Sequence, residues 1–354
     1  MGDWRKESLT KLTTRKSWKK NCCCCLRIRG IRSGSEKPGE SEKSIPGPII
    51  FEDLTPFYVK LVECRTVLLS DFIAQKRDGA TLWVHRKFAD RAFVDLLTHV
   101  ERWFDDPKCQ IIKDEKKTKV GRLAVKIGDQ AHPFYLKQFN AFSLRYRLFS
   151  LFASSRAFGS LRGATILRGA GIPTVTPVAA VEYRACGALT KSFFISEEIA
   201  EGKTTDAYWN RELRPLRGRE GAERRRRFLR DLAQLFRSLH GQHVYHDDLK
   251  DANILAAKDD SASSVIFFLL DFDRVRRCSR LSKRRRLKNL VQLYRTLGCY
   301  MRRPEKLYFL KSYLGSAFSD RIIRRRLISK VLRQTRRVEG IKARQAAEAR
   351  ASVN

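Results

Sequence analysis

One short segment of the chain combines carboxylates, a lysine and a carboxamide within eight residues. It reads His246-Asp247-Asp248-Leu249-Lys250-Asp251-Ala252-Asn253. Asp271-Phe272-Asp273 follows further along, at the end of an apolar run, residues 265–270. Residues 254–257 form a second apolar segment directly after Asn253, and a polar turn at 258–264 separates the two. This pattern is typical of a β-hairpin, which would bring Asp271 back to the end at which Asn253 lies. The sequence therefore predicts a single site built from both segments.

These residue types suit the chemistry of phosphoryl transfer. Such a site needs a carboxylate that orients the attacking hydroxyl group and accepts its proton, and Asp248 is predicted for this role. Oxygen ligands for Mg²⁺ are predicted at Asn253 and Asp271, and a cation that offsets the charge of the moving phosphoryl group at Lys250. An ordinary turn is the alternative, because Asp and Asn side chains often hydrogen-bond the backbone of turns.

Charge is the strongest signal in the composition. The chain has 354 residues, with 73 Lys and Arg against 38 Asp and Glu, which gives a net charge of +35. Such an excess suits nucleic acid, an anionic membrane face or a phosphorylated substrate. Basic residues cluster directly after Asp271, and no Asp or Glu occurs between Arg274 and Arg303. This stretch is either a functional patch or a solvated surface.

Apolar runs and cysteines indicate the compartment. No run approaches the ~20 apolar residues that a membrane span requires, and the first residues contain no apolar segment typical of a signal peptide. A cytoplasmic location is therefore expected. Cys22 to Cys25 are consecutive and the other five cysteines are scattered, which favours reduced thiols over a metal site. Lipid attachment to the Cys tract is the alternative.

The chain is expected to divide into four parts. Residues 1–48 are predicted to be a disordered basic tail, because their composition cannot bury enough apolar surface. Residues 49–201 are predicted to form a strand-rich lobe, with a hairpin formed by 109–113 and 120–127 and helical spacing at 90–104 and 155–168. Residues 202–338 are predicted to form a helical lobe. Its predicted helices are one at 228–239, where apolar residues recur with a 3.6-residue period, and two more at 287–300 and 304–332. Residues 339–354 are predicted to be a second tail. The predicted fold class is α+β.

Taken together, these motifs resemble the protein-kinase-like superfamily and, more narrowly, the bacterial lipopolysaccharide core kinases, which phosphorylate Kdo or heptose sugars. The resemblance covers residues 82–338 and depends on six further motifs: Phe134-Tyr135-Leu136-Lys137, Ser155-Arg156-Ala157, the segment Arg168 to Thr174, Val244-Tyr245-His246, the segment Phe268 to Asp273, and the basic segment Arg284 to Leu290.

The resemblance implies a two-lobed kinase-like fold that uses ATP and Mg²⁺. Lys137 would hold the α- and β-phosphates, although a lysine within an apolar strand can also simply extend to the surface. Glu198 to Ala200 match the hinge, where backbone groups would bind adenine. The acceptor would be a lipopolysaccharide core glycolipid, so the basic segment from Arg284 to Leu290 would face an anionic substrate and an anionic membrane surface. The protein would lie in the cytoplasm, either free or as a peripheral protein on the inner face of the cytoplasmic membrane, and no nucleic acid partner is expected.

The chain departs from the protein-kinase pattern at several positions. Asp247 replaces the arginine that reads a phosphorylated activation loop, and Asp273 replaces the glycine after Asp-Phe. No Asp or Glu occurs between Gln130 and Val181, so the usual helix glutamate that would pair with Lys137 is missing. Three alternatives to a core sugar kinase therefore stay open: a protein kinase, an atypical kinase associated with tRNA modification, and a catalytically weak kinase-like scaffold.

Overall fold

The structure is a computed structural model that describes residues 69–141, 143–151, 153–259 and 264–351. The predicted disordered tail, the consecutive cysteines and part of the hairpin turn before Ser264 lie outside the described residues. Both lobes belong to a compact unit that ends at Val338. Within the described residues, no helix is both long enough and apolar enough to cross a bilayer.

The N-terminal lobe is built on an antiparallel sheet, which has seven strands among the described residues. The strands are β1 Phe72–Arg77, β2 Ala80–His85, β3 Gln110–Glu115, β4 Thr118–Ile127, β5 Gln130–Asn140, β6 Pro177–Ala185 and β7 Ala188–Glu197. Their order is β1-β2-β6-β7-β5-β4-β3. The predicted hairpin before residue 127 is confirmed as β3 and β4, and Lys137 lies on the interior strand β5.

Three helices accompany this sheet: α1 Arg91–Thr98, α2 Leu144–Ser150 and α3 Arg156–Gly169. The Asp90 carboxylate accepts hydrogen bonds from two backbone N–H groups at the start of α1. The predicted helix at 90–104 is shorter than expected, because the chain leaves helical geometry at His99 and continues as a 3₁₀ turn, Val100–Phe104. The predicted helix at 155–168 is confirmed, and the Ser155 hydroxyl group caps it by accepting from the Phe158 N–H at 2.9 Å.

The C-terminal lobe is mainly helical. Its helices are α4 Thr205–Tyr208, α5 Gly218–Gly241, α6 Lys283–Arg295, α7 Arg303–Leu314 and α8 Arg321–Ala351. Its short strands are β8 Lys203–Thr204, β9 Val244–Tyr245, β10 Ile254–Lys258, β11 Val265–Leu269 and β12 Arg276–Arg277. The predicted hairpin is confirmed: β10 and β11 pair antiparallel, with Ile254 opposite Leu269.

Two predicted helices in this lobe are interrupted. The segment 287–300 ends its α-helix at Arg295 and continues as a 3₁₀ turn, Leu297–Cys299. The segment 304–332 breaks at Gly315, whose φ of 59° is a conformation that favours glycine. The Asp320 carboxylate then caps α8, which continues past residue 338, the predicted end of the lobe.

Helix α5 packs at the centre of the lobe and precedes the loop at 246–253. Its apolar residues recur with a helical period, and the residues predicted from that period are all buried: Phe228, Leu229, Leu232, Leu235, Phe236 and Leu239. Complete burial of such a side chain contributes roughly 1.5–3 kcal/mol. Because the loop at 246–253 follows this buried helix and β9 closely, its backbone is fixed against the core.

Candidate functional site

A buried histidine sets the conformation of the predicted catalytic loop. The Nε2 atom of His246 lies 2.8 Å from the carbonyl oxygen of Leu270, and its Nδ1 atom accepts from the Asp248 N–H at 3.3 Å. Nε2 is therefore the protonated nitrogen. Burial lowers the pKa of His246, which favours this neutral form. The imidazole ring thus joins the loop to the end of the strand that precedes Asp271.

Three predicted site residues of the loop lie together. The amide nitrogen of Asn253 donates to the Asp248 backbone oxygen at 2.7 Å and to its carboxylate Oδ2 at 3.1 Å. The ammonium group of Lys250 lies 3.0 Å from the same Oδ2 atom. The Asp248 side chain remains 43% exposed, so its carboxylate is held by neighbours while still accessible from the cleft.

Lys137 and Asp271 form an ion pair between the two lobes. The Nζ atom of Lys137 lies 2.6 Å from the Oδ1 atom of Asp271. Burial opposes ionisation of Asp271, but the nearby lysine charge prevails and holds the pKa of this carboxyl below its ordinary value. Asp271 adopts a left-handed backbone conformation with φ of 61°, unusual for a residue other than glycine. Such strain is often found at functional sites.

A second ion pair occupies the region where the helix glutamate was expected. Arg156 is the first residue of α3, and its Nε atom donates to the Asp273 Oδ2 atom at 2.7 Å. The guanidinium group also lies over the Phe139 ring, 4.5 Å from its centroid. The helix therefore contributes a cation, and the position after Asp-Phe contributes the matching carboxylate. Sequence reasoning noted both departures separately but missed that they pair.

Two glycines bring α3 against the segment that follows Asp271. A Cβ atom added at Gly163 would lie 2.2 Å from the backbone oxygen of Phe272, and one at Gly159 would lie 3.2 Å from that of Asp273. Backbone atoms cannot move aside as a flexible side chain can. The spacing of these glycines, one helical turn apart, is the sequence signal for this close approach.

Asp247, the neighbour of Asp248 in the loop, lies at the centre of a cluster of charged groups. The Asp247 carboxylate accepts from the Tyr245 hydroxyl group at 2.8 Å and from the Lys288 ammonium group at 2.5 Å. Arg274 lies 3.4 Å from its other oxygen. Burial would raise the pKa of Asp247, but these donors lower it to about 2. The carboxylate thus holds two cations at the edge of the cleft.

Two polar side chains of α6 hydrogen-bond the backbone of the loop at 246–253. Neither was predicted from the sequence. The Asn289 amide donates to the His246 backbone oxygen at 2.6 Å, and the Gln292 amide donates to that of Asp247 at 2.9 Å. Gln292 also accepts from the Leu249 N–H at 3.2 Å. Polar residues among the buried apolar positions of α6 were the available signal, because buried amides require partners.

The predicted hinge residues lie apart from this cluster. Glu198 follows β7; its N–H donates to the Pro133 oxygen at 3.0 Å, and its carboxylate pairs with Arg122 at 2.8 Å. Ala200 lies in an exposed turn beyond it. Neither residue lines the cleft at Asp248. The contact with Arg122 shows that the Glu198 side chain faces a strand of the N-terminal sheet.

The cleft has a volume of about 430 Å³ and a strongly polar lining. The residues that line it are Arg156, Asp247, Asp248, Asp271, Asp273, Arg274, Lys288 and Gln292. Its size is ordinary for a small-molecule site, but such sites are usually lined by apolar residues. A lining of carboxylates, cations and an amide suits a ligand that carries hydroxyl and anionic groups.

The donor set at Asp271 and Asn253 fits magnesium bound together with phosphate groups. Among the described residues, no cluster of three or more His, Cys, Asp and Glu side chains could hold a metal ion by itself. Mg²⁺ commonly takes one or two protein oxygen ligands and completes its shell with phosphate oxygens and water. Because the Asn253 nitrogen donates to Asp248, its amide oxygen remains available to a cation.

Comparisons with known proteins identify the family. The chain is similar in fold to a solved structure titled WaaP in complex with acyl carrier protein, with a TM-score of 0.51 and 20% sequence identity; the match covers 70% of this chain and 97% of that one. A comparison with curated protein sequences gives no significant match. Residues 98–335 match the family model described as lipopolysaccharide kinase (Kdo/WaaP) family. The predicted two-lobed kinase-like fold is thereby confirmed, and the chain belongs to the lipopolysaccharide kinase (Kdo/WaaP) family of phosphotransferases.

Proposed function

We propose that the protein transfers the γ-phosphate of ATP, with Mg²⁺, to a sugar hydroxyl group of the lipopolysaccharide inner core, either Kdo or heptose. The observation that carries this proposal is the position of Asp248, which is exposed to the cleft and held by Lys250 and Asn253. The ion pair of Lys137 and Asp271 lies in the same region, because His246 and Asn253 tie the loop to the segment at Leu270.

The nucleotide side of the site is formed by residues of both lobes. Lys137 provides a cation for the phosphates, and backbone groups from Glu198 to Ala200 provide the hinge for adenine. Asp271 and the amide oxygen of Asn253 hold Mg²⁺, which neutralises charge on the phosphates when it is bound. The ammonium group of Lys137 and the carboxylate of Asp271, which contact each other directly, would then contact phosphate and cation respectively.

The acceptor side depends on Asp248 and its neighbours. The Asp248 carboxylate orients the sugar hydroxyl group and accepts its proton as the new bond to phosphorus forms. Asn253 restricts the rotation of this carboxylate through the contact at 3.1 Å. Lys250 offers positive charge to the transferred phosphoryl group. All three residues belong to one short loop, so their mutual geometry is set before substrate binds.

Positive charge at the edge of the cleft suits an acceptor beside anionic groups. Lys288 and Arg274 line the cleft and contact Asp247. The arginines at the start of the basic segment serve partly to hold the fold: Arg285 contacts the Cys278 sulfur at 2.9 Å and Arg286 donates to the His240 backbone oxygen at 3.4 Å. We therefore assign recognition of the anionic acceptor mainly to Lys288 and Arg274.

Such an acceptor is a membrane glycolipid, so we infer that the protein works at the cytoplasmic face of the membrane as a peripheral protein. The net charge of +35 favours an anionic lipid surface. The same charge would permit contact with tRNA, and the fold would permit a protein acceptor, so both alternatives belong in the test.

The experiment offers three acceptors to the purified protein with Mg-ATP: lipopolysaccharide inner core, a generic unfolded protein and tRNA. We expect labelled phosphate to appear on the core sugar and not on the other two. Transfer to protein or tRNA in preference to core sugar would refute the proposed substrate class. A melting temperature that Mg-ATP does not raise would instead indicate a scaffold, because ligand binding to the native state stabilises it.

A further inference from the structure

Helix α2 exposes large apolar side chains beside two arginines. Phe149 is 65% exposed and Leu148 56%, and Leu151, directly after the helix, is 45% exposed. Arg145 and Arg147 are exposed on the same short segment. We call these five residues the α2 surface. Exposed apolar side chains are unremarkable when they occur singly, but adjacent ones often mark an interaction site.

The apolar side chains point outward although the helix itself is firmly attached. The Ser143 hydroxyl group caps the helix by accepting from the Tyr146 N–H at 3.2 Å. Ser150 is buried; its hydroxyl oxygen accepts from the Leu189 N–H at 2.9 Å, and its backbone oxygen accepts from Arg184 at 3.0 Å. Ser150 therefore faces the protein, whereas Leu148 and Phe149 face solvent, where an ordinary surface helix carries polar residues.

The α2 surface lies next to the cleft. Arg184 donates both to the Ser150 backbone oxygen at the end of α2 and to the Glu182 carboxylate, which accepts from the Ser155 N–H at the start of α3. Arg156 and Asp273 line the cleft, and Arg156 begins the helix that follows α2. A surface that contacts α2 would therefore stand beside the entrance through which the acceptor reaches Asp248.

We propose that the α2 surface inserts into the interfacial region of an anionic lipid bilayer and holds the cleft at the level of glycolipid head groups. The combination of Phe and Leu with interleaved arginines matches this environment, in which apolar groups enter the acyl boundary and cations meet lipid phosphates. The net charge of +35 disfavours a second copy of the same chain as the occupant. This membrane contact rests on the proposed function, because a glycolipid acceptor is the reason for the protein to lie at the membrane.

Sedimentation with lipid vesicles tests the contact. The double variant Leu148→Gln/Phe149→Gln keeps residues with good helix propensity and removes the apolar groups. The matched control is Ile111→Thr/Ile112→Thr, which removes two apolar residues that are 42% and 51% exposed on strand β3 at the edge of the same lobe. On vesicles of phosphatidylcholine mixed with phosphatidylglycerol, we expect the α2 variant to partition at least tenfold more weakly than wild type, as lost burial of two large side chains predicts.

The control should bind these vesicles like wild type. Arg145→Ala/Arg147→Ala should weaken binding to the mixed vesicles but not to pure phosphatidylcholine, and less so in high salt. Unchanged binding of the α2 variant, or an equal loss in the β3 control, would overturn the proposal. So would a dimer of the wild-type protein, seen by ultracentrifugation, that the α2 variant converts to monomer, because the surface would then serve self-association.

Catalysis separates this proposal from the proposed function. The α2 variant should phosphorylate a deacylated, water-soluble core oligosaccharide at the wild-type rate and lose activity only on acceptor embedded in vesicles. If the wild-type protein phosphorylates neither acceptor, the proposed function fails while the sedimentation result still decides the membrane contact.

Discussion

The guanidinium group of Arg156 and the carboxylate of Asp273 lie 2.7 Å apart, which joins the first residue of α3 to the segment after Asp271. The chain lacks an acidic residue on this helix and carries Asp273 in place of the expected glycine. The two departures compensate each other, because the cation on the helix and the carboxylate after Asp-Phe form the ion pair that links helix α3 to this segment. Lys137 is meanwhile paired with Asp271 directly.

The pair predicts a coupling between Arg156 and Asp273. Arg156→Ala and Asp273→Ala should each lower kcat/KM by roughly tenfold or more, because Asp271 loses its fixed position. The double variant should be little worse than either single variant, with a coupling of about 0.5–3 kcal/mol, as for residues in direct contact. The charge-swapped variant Arg156→Asp/Asp273→Arg should recover part of the activity. Strictly additive losses in a double-mutant cycle would contradict the assignment.

Close packing of α3 predicts that Gly163→Ala is harmful. The added methyl group would meet the Phe272 backbone oxygen at 2.2 Å, so helix and loop must separate. Overpacking of this kind typically costs about 1–3 kcal/mol. The control is Gly169→Ala in the same helix, where a Cβ atom meets nothing within 4 Å and a stability gain of about 0.4–1 kcal/mol is expected. Urea unfolding of both variants measures the difference, and equal stabilities would refute the predicted clash.

Acceptor recognition predicts a selective effect of Lys288→Ala. This variant should raise the KM for core acceptor on the order of tenfold, the scale of about 1.4 kcal/mol for one lost charge contact, and leave the KM for ATP nearly unchanged. Arg284→Ala removes an exposed cation from the same helix outside the cleft and serves as the control. Steady-state kinetics with both substrates decides the matter. If both variants raise the KM for the acceptor equally, the cations in the cleft contribute only general electrostatic attraction and not a specific contact.

Burial of His240 predicts acid-sensitive stability. Burial lowers its pKa to about 4, and the ring bridges Tyr313 and Asn289, which in turn holds His246. A histidine with a depressed pKa binds fewer protons in the folded state, so its contribution is complete above about pH 6.5 and is lost as pH falls toward 4. The loss amounts to roughly 3 kcal/mol from a shift of this size.

The variant His240→Gln tests this effect and keeps an amide that can hydrogen-bond. Its free energy of unfolding should vary less steeply between pH 6.5 and 4 than that of wild type, by at most about 1.4 kcal/mol per pH unit for one proton. Denaturant titrations at several pH values provide the comparison. An identical slope in both proteins would show that another group causes the acid sensitivity.

Local sequence patterns predicted those helices and strands whose formation depends mainly on residues close together in the chain. The β10–β11 hairpin followed from two apolar runs around a polar turn, and helix α5 followed from its apolar period. The break at Gly315 was missed although glycine is a common signal for a helix end, because the apolar spacing continues beyond it.

Contacts between distant segments could not be predicted in the same way. Arg156 and Asp273 lie 117 positions apart, and nothing local in either segment indicates the partner. The supporting amides Asn289 and Gln292 are similarly remote from the loop that they hold. The loop residues Asp248, Lys250 and Asn253, by contrast, come together because they share one short segment, which is why spacing alone placed them correctly relative to each other.

The most direct test of the account is mass spectrometry of lipopolysaccharide core after incubation with Mg-ATP and the purified protein. Wild-type protein should add ~80 Da, the mass of one phosphate group, to a single inner-core sugar. Asp248→Asn should reduce this transfer on the order of 10²–10⁴-fold, the scale of a positioned acid–base group, while nucleotide binding persists because the role proposed for Asp248 concerns the acceptor and not the nucleotide. An unchanged core mass with the wild-type protein, or an Asp248→Asn variant that keeps more than roughly a tenth of the activity, would contradict the account.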